Sequence, residues 1–324
     1  MRSKTRKYLP AVLCIIFFTQ TACNIFYIAV RNVPVFFSVP KPVINKIKHP
    51  IKPDVRLSAL WIGHSTVLIQ MDDRVIITDP FLSGTVGELA RRVVDPGMDP
   101  EDIPHCDIIL ISHPHFDHLC LSSLDMLEDS SRGAALVFPE GTEKFLPEMN
   151  YRYVRMKNDN GYLHTFVGES RIINNITVTS VFARHWGGRY GLDGYVWGDN
   201  SFTGYIIQYN GMTVYYAGDT GYDSLMFKKI GEKYNIDLAL IPIGPCADCT
   251  NKGTRTHAFP PDAVMILRDV KAERMVPIHY GTLYFAQVKA DIPLETFKKI
   301  VGEYDLSNKV FPLKIGEQKI FIRK

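Results

Sequence analysis

Three imidazoles and a carboxylate fall within six consecutive residues, His113-Pro114-His115-Phe116-Asp117-His118. They follow a short apolar run over 107–112, which reads as a buried strand, and precede 119–127, which reads as a short helix. On a tight strand-to-helix turn this spacing can aim two donors at one metal ion and two at another. Imidazole nitrogen and carboxylate oxygen suit Zn²⁺ best among the common ions, with iron or manganese as alternatives. The competing explanation is a polar loop whose histidines merely face water. One histidine would not outweigh it, but four ligand-type residues directly after a hydrophobic strand do.

Other candidates sit at comparable places. A strand pair over 171–182 delivers His185 at its end. A hairpin over 202–209 and 212–216, turning at Asn210-Gly211, runs into Ala217-Gly218-Asp219-Thr220-Gly221. The glycines let the backbone come close and aim Asp219 inward, where its two oxygens can bridge two ions. A strand over 275–278 ends in His279-Tyr280. If these strand ends share one edge, His113, His115, Asp117, His118, His185, Asp219 and His279 gather as seven candidate ligands. Asp79, at the end of a strand over 74–78, either supports a metal-bound imidazole or caps a turn. His64 either lines the site or serves a turn. His257 opens a helix over 260–270. The run 186–201 carries five glycines with Trp186, Tyr190, Tyr195 and Trp197, and reads as a mobile aromatic lip suited to apolar groups of a ligand. Tyr280 is a further candidate for lining the site.

The elements that must carry these residues are strands with helices between them. A meander over 56–62, 65–71 and 74–78 opens the body, and a polar loop covers 84–104. A strand is expected at 134–138, a helix start at 142–146, a helix at 224–234 and a strand at 238–243. A helix over 294–301 and one or two strands within 310–322 close the chain. The pattern is α/β.

With 324 residues, 46% hydrophobic and 22% charged, the chain can fill a full core. The net charge of +3 comes partly from Arg2, Lys4, Arg6 and Lys7. The body is therefore near neutral, and no nucleic-acid footprint is expected. After that basic start, residues 8–30 are strongly apolar. They read as a secretory signal, a lipoprotein signal ending near Cys23, or a membrane helix. Each of these exports the body or ties it to a membrane. The division expected is a signal or anchor over 1–31, a linker or arm over 32–55 and one main domain over 56–324. Two of the six cysteines lie in the N-terminal apolar run, and the four in the body are too few for a disulfide scaffold. Cys246-Ala247-Asp248-Cys249 stays open between a disulfide, free thiols and a functional pair.

Several stretches resemble one family. The order of the ligand motifs, from about residue 58 to 284, resembles the metallo-β-lactamase superfamily. Within it, Gly63-His64-Ser65-Thr66, Thr78-Asp79-Pro80, the 111–118 turn, Ala217 to Tyr222, Ile241-Pro242-Ile243-Gly244 and Ile278 to Thr282 are similar to the N-acyl-phosphatidylethanolamine-hydrolysing phospholipase D family, and His185-Trp186 fits it too. The resemblance implies a four-layer αββα sandwich with two Zn²⁺ ions between the sheets. It implies that His113, His115 and His185 hold one ion, that Asp117, His118 and His279 hold the other, that Asp219 bridges, and that His257 lines the active site. The implied activity is phosphodiester hydrolysis on a phospholipid-type substrate at a membrane surface. No G-x-S-x-G nucleophile motif is present. The segment 245–256 and the N-terminal region depart from the family pattern and bear on the substrate. A lactonase, another ester or phosphodiester hydrolase, and a membrane-anchored non-catalytic binding protein are the alternatives. A homodimer is left open.

Overall fold

The computed structural model describes residues 39–86, 90–157, 166–189, 200–246, 248–254, 256–283 and 291–324. The expected signal or anchor and most of the aromatic lip lie outside the described residues. The chain opens with an antiparallel meander, β1 (Val55–Gly63), β2 (Thr66–Met71) and β3 (Arg74–Thr78). A small hairpin follows, β4 (Thr85–Val86) with β5 (Ala90–Arg91). Strands β6 (Ile108–Leu110), β7 (Ala135–Pro139) and β8 (Arg152–Met156) then extend the meander sheet in parallel from β3. The second sheet repeats this plan. Strands β9 (Val167–Ile173), β10 (Ile176–Val181), β11 (Gly204–Tyr209) and β12 (Met212–Tyr216) are antiparallel, and β13 (Leu238–Pro242) and β14 (Met275–Ile278) continue in parallel. The last strand, β15 (Gln318–Arg323), returns to pair with β1.

Alternation along the strands separates two cores. In β1, Leu57, Ala59 and Trp61 face the space between the sheets, while Leu60 and Ile62 face the other side. In β6, Ile108 and Leu110 turn inward and Ile109 turns outward; in β7, Ala135 and Val137 oppose Leu136 and Phe138. A strand apolar on both faces needs cover on both. For the first sheet, α1 (Leu121–Glu128) covers the outer face with Leu124 and Leu127. For the second, α2 (Ser224–Lys233), α3 (Pro260–Asp269) and α4 (Ile292–Glu303) bring Phe227, Ile230, Ile266, Leu267, Phe297 and Val301 to the core. The layers are therefore αββα, as expected. Helix α2 begins at Asp223, whose side chain accepts the Leu225 and Met226 N–H groups.

Two sequence expectations change. Strand β8 was not anticipated, because Arg152-Tyr153-Val154-Arg155-Met156 buries only its last residue and so lacks an apolar face. Residues 84–104 hold more than a polar loop: besides β4 and β5 they include a 3-10 helix (Pro100–Asp102) and the buried Arg92 and Met98. The arm from residue 39 lies along the body. Lys41 donates its N–H to Val93, Lys46 pairs with Asp99 at 2.6 Å, and the Pro50 carbonyl accepts from Gln318. Among the described residues no helix is long and apolar enough to cross a membrane.

The outer helices sit close because Gly231 of α2 has no side chain. A Cβ there would lie 2.2 Å from the Asp269 carbonyl oxygen of α3. Gly231→Ala is expected to push the helices apart and cost about 1–3 kcal/mol. Thermal unfolding of the variant would show the loss, and its metal content should match the wild type.

Candidate metal centre

Parallel strands bring their C-terminal ends to one edge, and here both sheets do so at the same place. Asp79 follows β3, Ser112 and His113 follow β6, Asp219 follows β12 and His279 follows β14. Backbone bonds join these ends across the sheets: Thr203 N–H to the Ser112 carbonyl at 3.0 Å, and His279 N–H to the His64 carbonyl at 2.9 Å. Gly218, at φ +60, lets its chain pass Ser112; a Cβ there would lie 2.7 Å from the Ser112 Cβ.

Asp79 is fully buried and organises the ligand turn. Its Oδ1 accepts the Ser112 N–H at 2.7 Å. Its Oδ2 accepts the Ser112 hydroxyl at 2.5 Å, His118 Nδ1–H at 2.5 Å and the Tyr216 hydroxyl. Because the Ser112 hydroxyl donates to Asp79, it accepts from His113 Nδ1–H at 2.9 Å. His185 Nδ1–H donates to the Thr256 carbonyl at 2.7 Å. These three bonds place the protons on Nδ1 of His113, His118 and His185, leaving each Nε2 lone pair free for a metal ion.

The free nitrogens converge. His113 Nε2 and His185 Nε2 lie 2.8 and 3.2 Å from His115 Nδ1. His118 Nε2 lies 3.3 Å from His279 Nε2, with Asp117 Oδ2 at 3.7 and 3.8 Å from the two. Nitrogens this close need a proton or a cation between them. Asp219 borders the second set, its Oδ2 at 3.5 Å from His118 Nε2 and its Oδ1 at 3.2 Å from His279 Nε2. It also groups with His185 and His257. Its Oδ1 is buried without a hydrogen-bond donor. The donors that could hold a cation group as His113, His115 and His185, and as His64, Asp117, His118 and His279, with Asp219 beside both groups.

The electrostatics agree. Burial, with His118 nearby, holds His113 well below the usual histidine range. Burial also lowers His185, and takes His115 to about 4 and His64 to about 3. These imidazoles are therefore neutral, as metal ligands must be. Burial opposes the charge on His118, but Asp219, Asp117 and Asp79 outweigh it and raise the group well above the usual range, so without a cation a proton holds the Nε2 position that an ion would take. Burial opposes the charge of Asp117 and Asp219 too; His118 chiefly keeps the first ionised, and His279 with His118 keeps the second ionised. The described ion pairs of these carboxylates are all with histidines.

His257 stands at the mouth, its side chain 27% exposed and its Nε2 at 3.3 Å from Asp219 Oδ2. Trp186, 40% exposed, lies with its ring 4.2 Å from His115. Buried His64 donates its Nε2–H to Asp117 Oδ2, 3.0 Å away. Tyr280 is placed elsewhere: its ring stacks on Trp61 at 4.6 Å and its hydroxyl reaches the Leu313 carbonyl. Among the described contacts none joins its side chain to the donor sets. Of the expected lip, 190–199 lie outside the described residues. Arg189 before them donates to the Pro114 and Leu119 carbonyls and braces the ligand turn. Ser112, Tyr216, Arg189 and the Thr256 carbonyl were not singled out from sequence. Cys246 and Cys249 form a disulfide in the segment that leads to Thr256 and His257.

A buried histidine and aspartate centre at the strand ends of an αββα sandwich defines a metal-dependent hydrolase. Residues 74–280 match the beta-lactamase superfamily domain, and the chain belongs to the metallo-β-lactamase superfamily. It is 29% identical to the N-acyl-phosphatidylethanolamine-hydrolyzing phospholipase D 1 of Caenorhabditis elegans, over 74% of this chain and 68% of that protein. It is 31% identical to a UPF0173 metal-dependent hydrolase of Methanosarcina barkeri, over 81% of this chain and 98% of that protein. The fold is also that of Igni18, a metallo hydrolase from Ignicoccus hospitalis, with a TM-score of 0.61 and 23% identity over 83% of this chain and 99% of that one.

Ser112→Ala removes the hydroxyl that links Asp79 to His113. Metal retention against a chelator should weaken about 10–100-fold, the usual effect of losing an outer partner of a ligand. Metal analysis after graded chelator treatment measures it.

Proposed function

We propose that this hydrolase is a two-zinc phosphodiesterase of phospholipase D type, acting on N-acyl-phosphatidylethanolamine or a related lipid. The observation that carries this reading is the pair of donor sets that share Asp219. The named activity of the C. elegans relative supports the substrate class. So does Trp186, which sets an exposed apolar ring beside His115 where an acyl or alkyl group can rest. We also propose that the apolar run 8–30 holds the domain at a membrane surface, where such a substrate resides.

Zn²⁺ held by His113, His115 and His185 and by Asp117, His118 and His279 would make water acidic enough to lose a proton near neutral pH and would offset charge on the phosphate. Hydrolysis forms a bond from phosphorus to the water oxygen and breaks the bond from phosphorus to the leaving alcohol oxygen. Asp219 fixes the centre by facing His118, His279 and His257 at once. His257 Nε2 is the proton carrier nearest to solvent at the mouth, and it can supply the proton that the departing alkoxide needs. Its Nδ1 lies 3.1 Å from the Thr256 hydroxyl, which orients the ring.

A second reading keeps the metals and changes the bond. The Methanosarcina barkeri relative is named only a metal-dependent hydrolase and is matched over nearly its full length, so a lactone or another ester is tested beside the lipid. A panel of N-acyl-phosphatidylethanolamine, a lactone and a generic phosphodiester separates the two. The expected result is turnover of the first by zinc-loaded protein, with little activity after metal stripping or in Asp219→Asn. Full activity in either would overturn the mechanism, and turnover of the lactone alone would overturn the lipid assignment. His257→Gln should keep its metal and lose about 10²–10⁴-fold in kcat, as expected for loss of a general acid.

A further inference from the structure

The donors of the second set come from places far apart in the chain. Asp117 and His118 belong to the turn after β6, while His279 ends β14 in the other sheet. His64 touches both sides. Its Nε2 lies 3.0 Å from Asp117 Oδ2, the oxygen that faces His118 and His279. Its carbonyl accepts the His279 N–H at 2.9 Å. The residue is itself tightly held. Its N–H donates to Thr282 Oγ1 at 2.6 Å, and its carbonyl also accepts Trp61 Nε1–H at 3.0 Å. It is 2% exposed and sits at φ 55, after Gly63 at φ 124. A non-glycine residue persists in that region only where its surroundings over-determine it.

We propose that His64 is a positioning residue that clamps the second cation site: its Nε2–H holds Asp117 Oδ2 toward His118, and its carbonyl holds the backbone of His279. A lone aspartate side chain can rotate and present either oxygen. The His64 bond removes that freedom before an ion arrives, so the ion does not have to order the carboxylate. The inference rests on the two-ion reading above. The competing assignment is His64 as a direct ligand, since one donor atom each from His64, Asp117, His118 and His279 lie within 4.8 Å of one another.

Two variants of the full chain test it, His64→Leu and His64→Gln. Both keep the carbonyl, and both strain the left-handed backbone alike, but only Gln keeps an N–H donor. The readouts are zinc per chain during graded chelator competition and the melting temperature of metal-free protein. The clamp predicts that His64→Leu releases one of two ions at about 10–100-fold lower chelator concentration, while the other ion stays within about twofold of wild type. It predicts that His64→Gln regains most of the loss and that the metal-free variants melt together. Retention of both ions by His64→Leu, or equal loss of both, would overturn the clamp. Failure of His64→Gln to rescue would also overturn it and make His64 a ligand. A wild type that holds a single ion would sink the two-ion reading itself, an outcome visible before any variant is made.

Discussion

A carboxylate without solvent, satisfied by four donors, is the constraint on which the rest of this structure turns. Asp79 takes the N–H and hydroxyl of Ser112, the Nδ1–H of His118 and the hydroxyl of Tyr216. Burying an ionised carboxylate is costly unless it is paired and hydrogen-bonded, and removing one partner leaves most of that cost standing. The four donors come from β12 and from the turn after β6, so the charge can be accommodated only where the two sheets meet in one register. The same bonds fix which nitrogen of His113 and His118 carries its proton. Sheet packing and metal-ligand chemistry are thus two consequences of one satisfied charge.

The sequence announced the candidate ligands because their types are rare at strand ends. Four in six positions at 113–118, then His185, Asp219 and His279 each after an apolar run, have few structural uses. The outer partners were not announced. Ser112 closes an apolar strand and Tyr216 sits in a buried one, where serine and tyrosine are ordinary. Only the fold shows that both reach Asp79. The Thr256 carbonyl, which fixes the tautomer of His185, has no side-chain signature at all. Tyr280 was misleading for the opposite reason: it adjoins a ligand in sequence, yet its ring belongs to the core beside Trp61. Strand β8 escaped because an edge strand with one buried residue has no apolar period to read.

The stretch between β3 and β6 shows how a polar sequence can still be structural. Arg92 is buried, with its guanidinium over the Phe81 ring at 4.9 Å and its Nη1–H and Nε–H on the Phe81 and Val94 carbonyls. No carboxylate is within ion-pair reach among the described residues. Two backbone carbonyls and an aromatic face hold it instead, with Nη2 left without a hydrogen bond, since guanidinium is weakly hydrated and stacks on rings. It lies under Gly63, where a Cβ would be 2.8 Å from its Nη2. The turn that carries His64 therefore needs glycine before it, and the loop that sequence reads as polar supplies its floor.

Backbone strain follows the same logic. His64, Asp79 and His279 all have positive φ, at 55, 32 and 63. Such conformations cost on the order of 1–3 kcal/mol each and survive only when other bonds dictate them. Here the dictating bonds are visible: Thr282 and Trp61 on His64, Ser112 and Tyr216 on Asp79, and His64 itself on His279. These three residues must each present a side chain at the meeting point of two sheets, where a regular strand would carry it past. Strain at these positions converts folding energy into fixed donor placement. An incoming cation then meets imidazoles and carboxylates already aimed, and its own binding energy is left for neutralising the charge that burial has concentrated there.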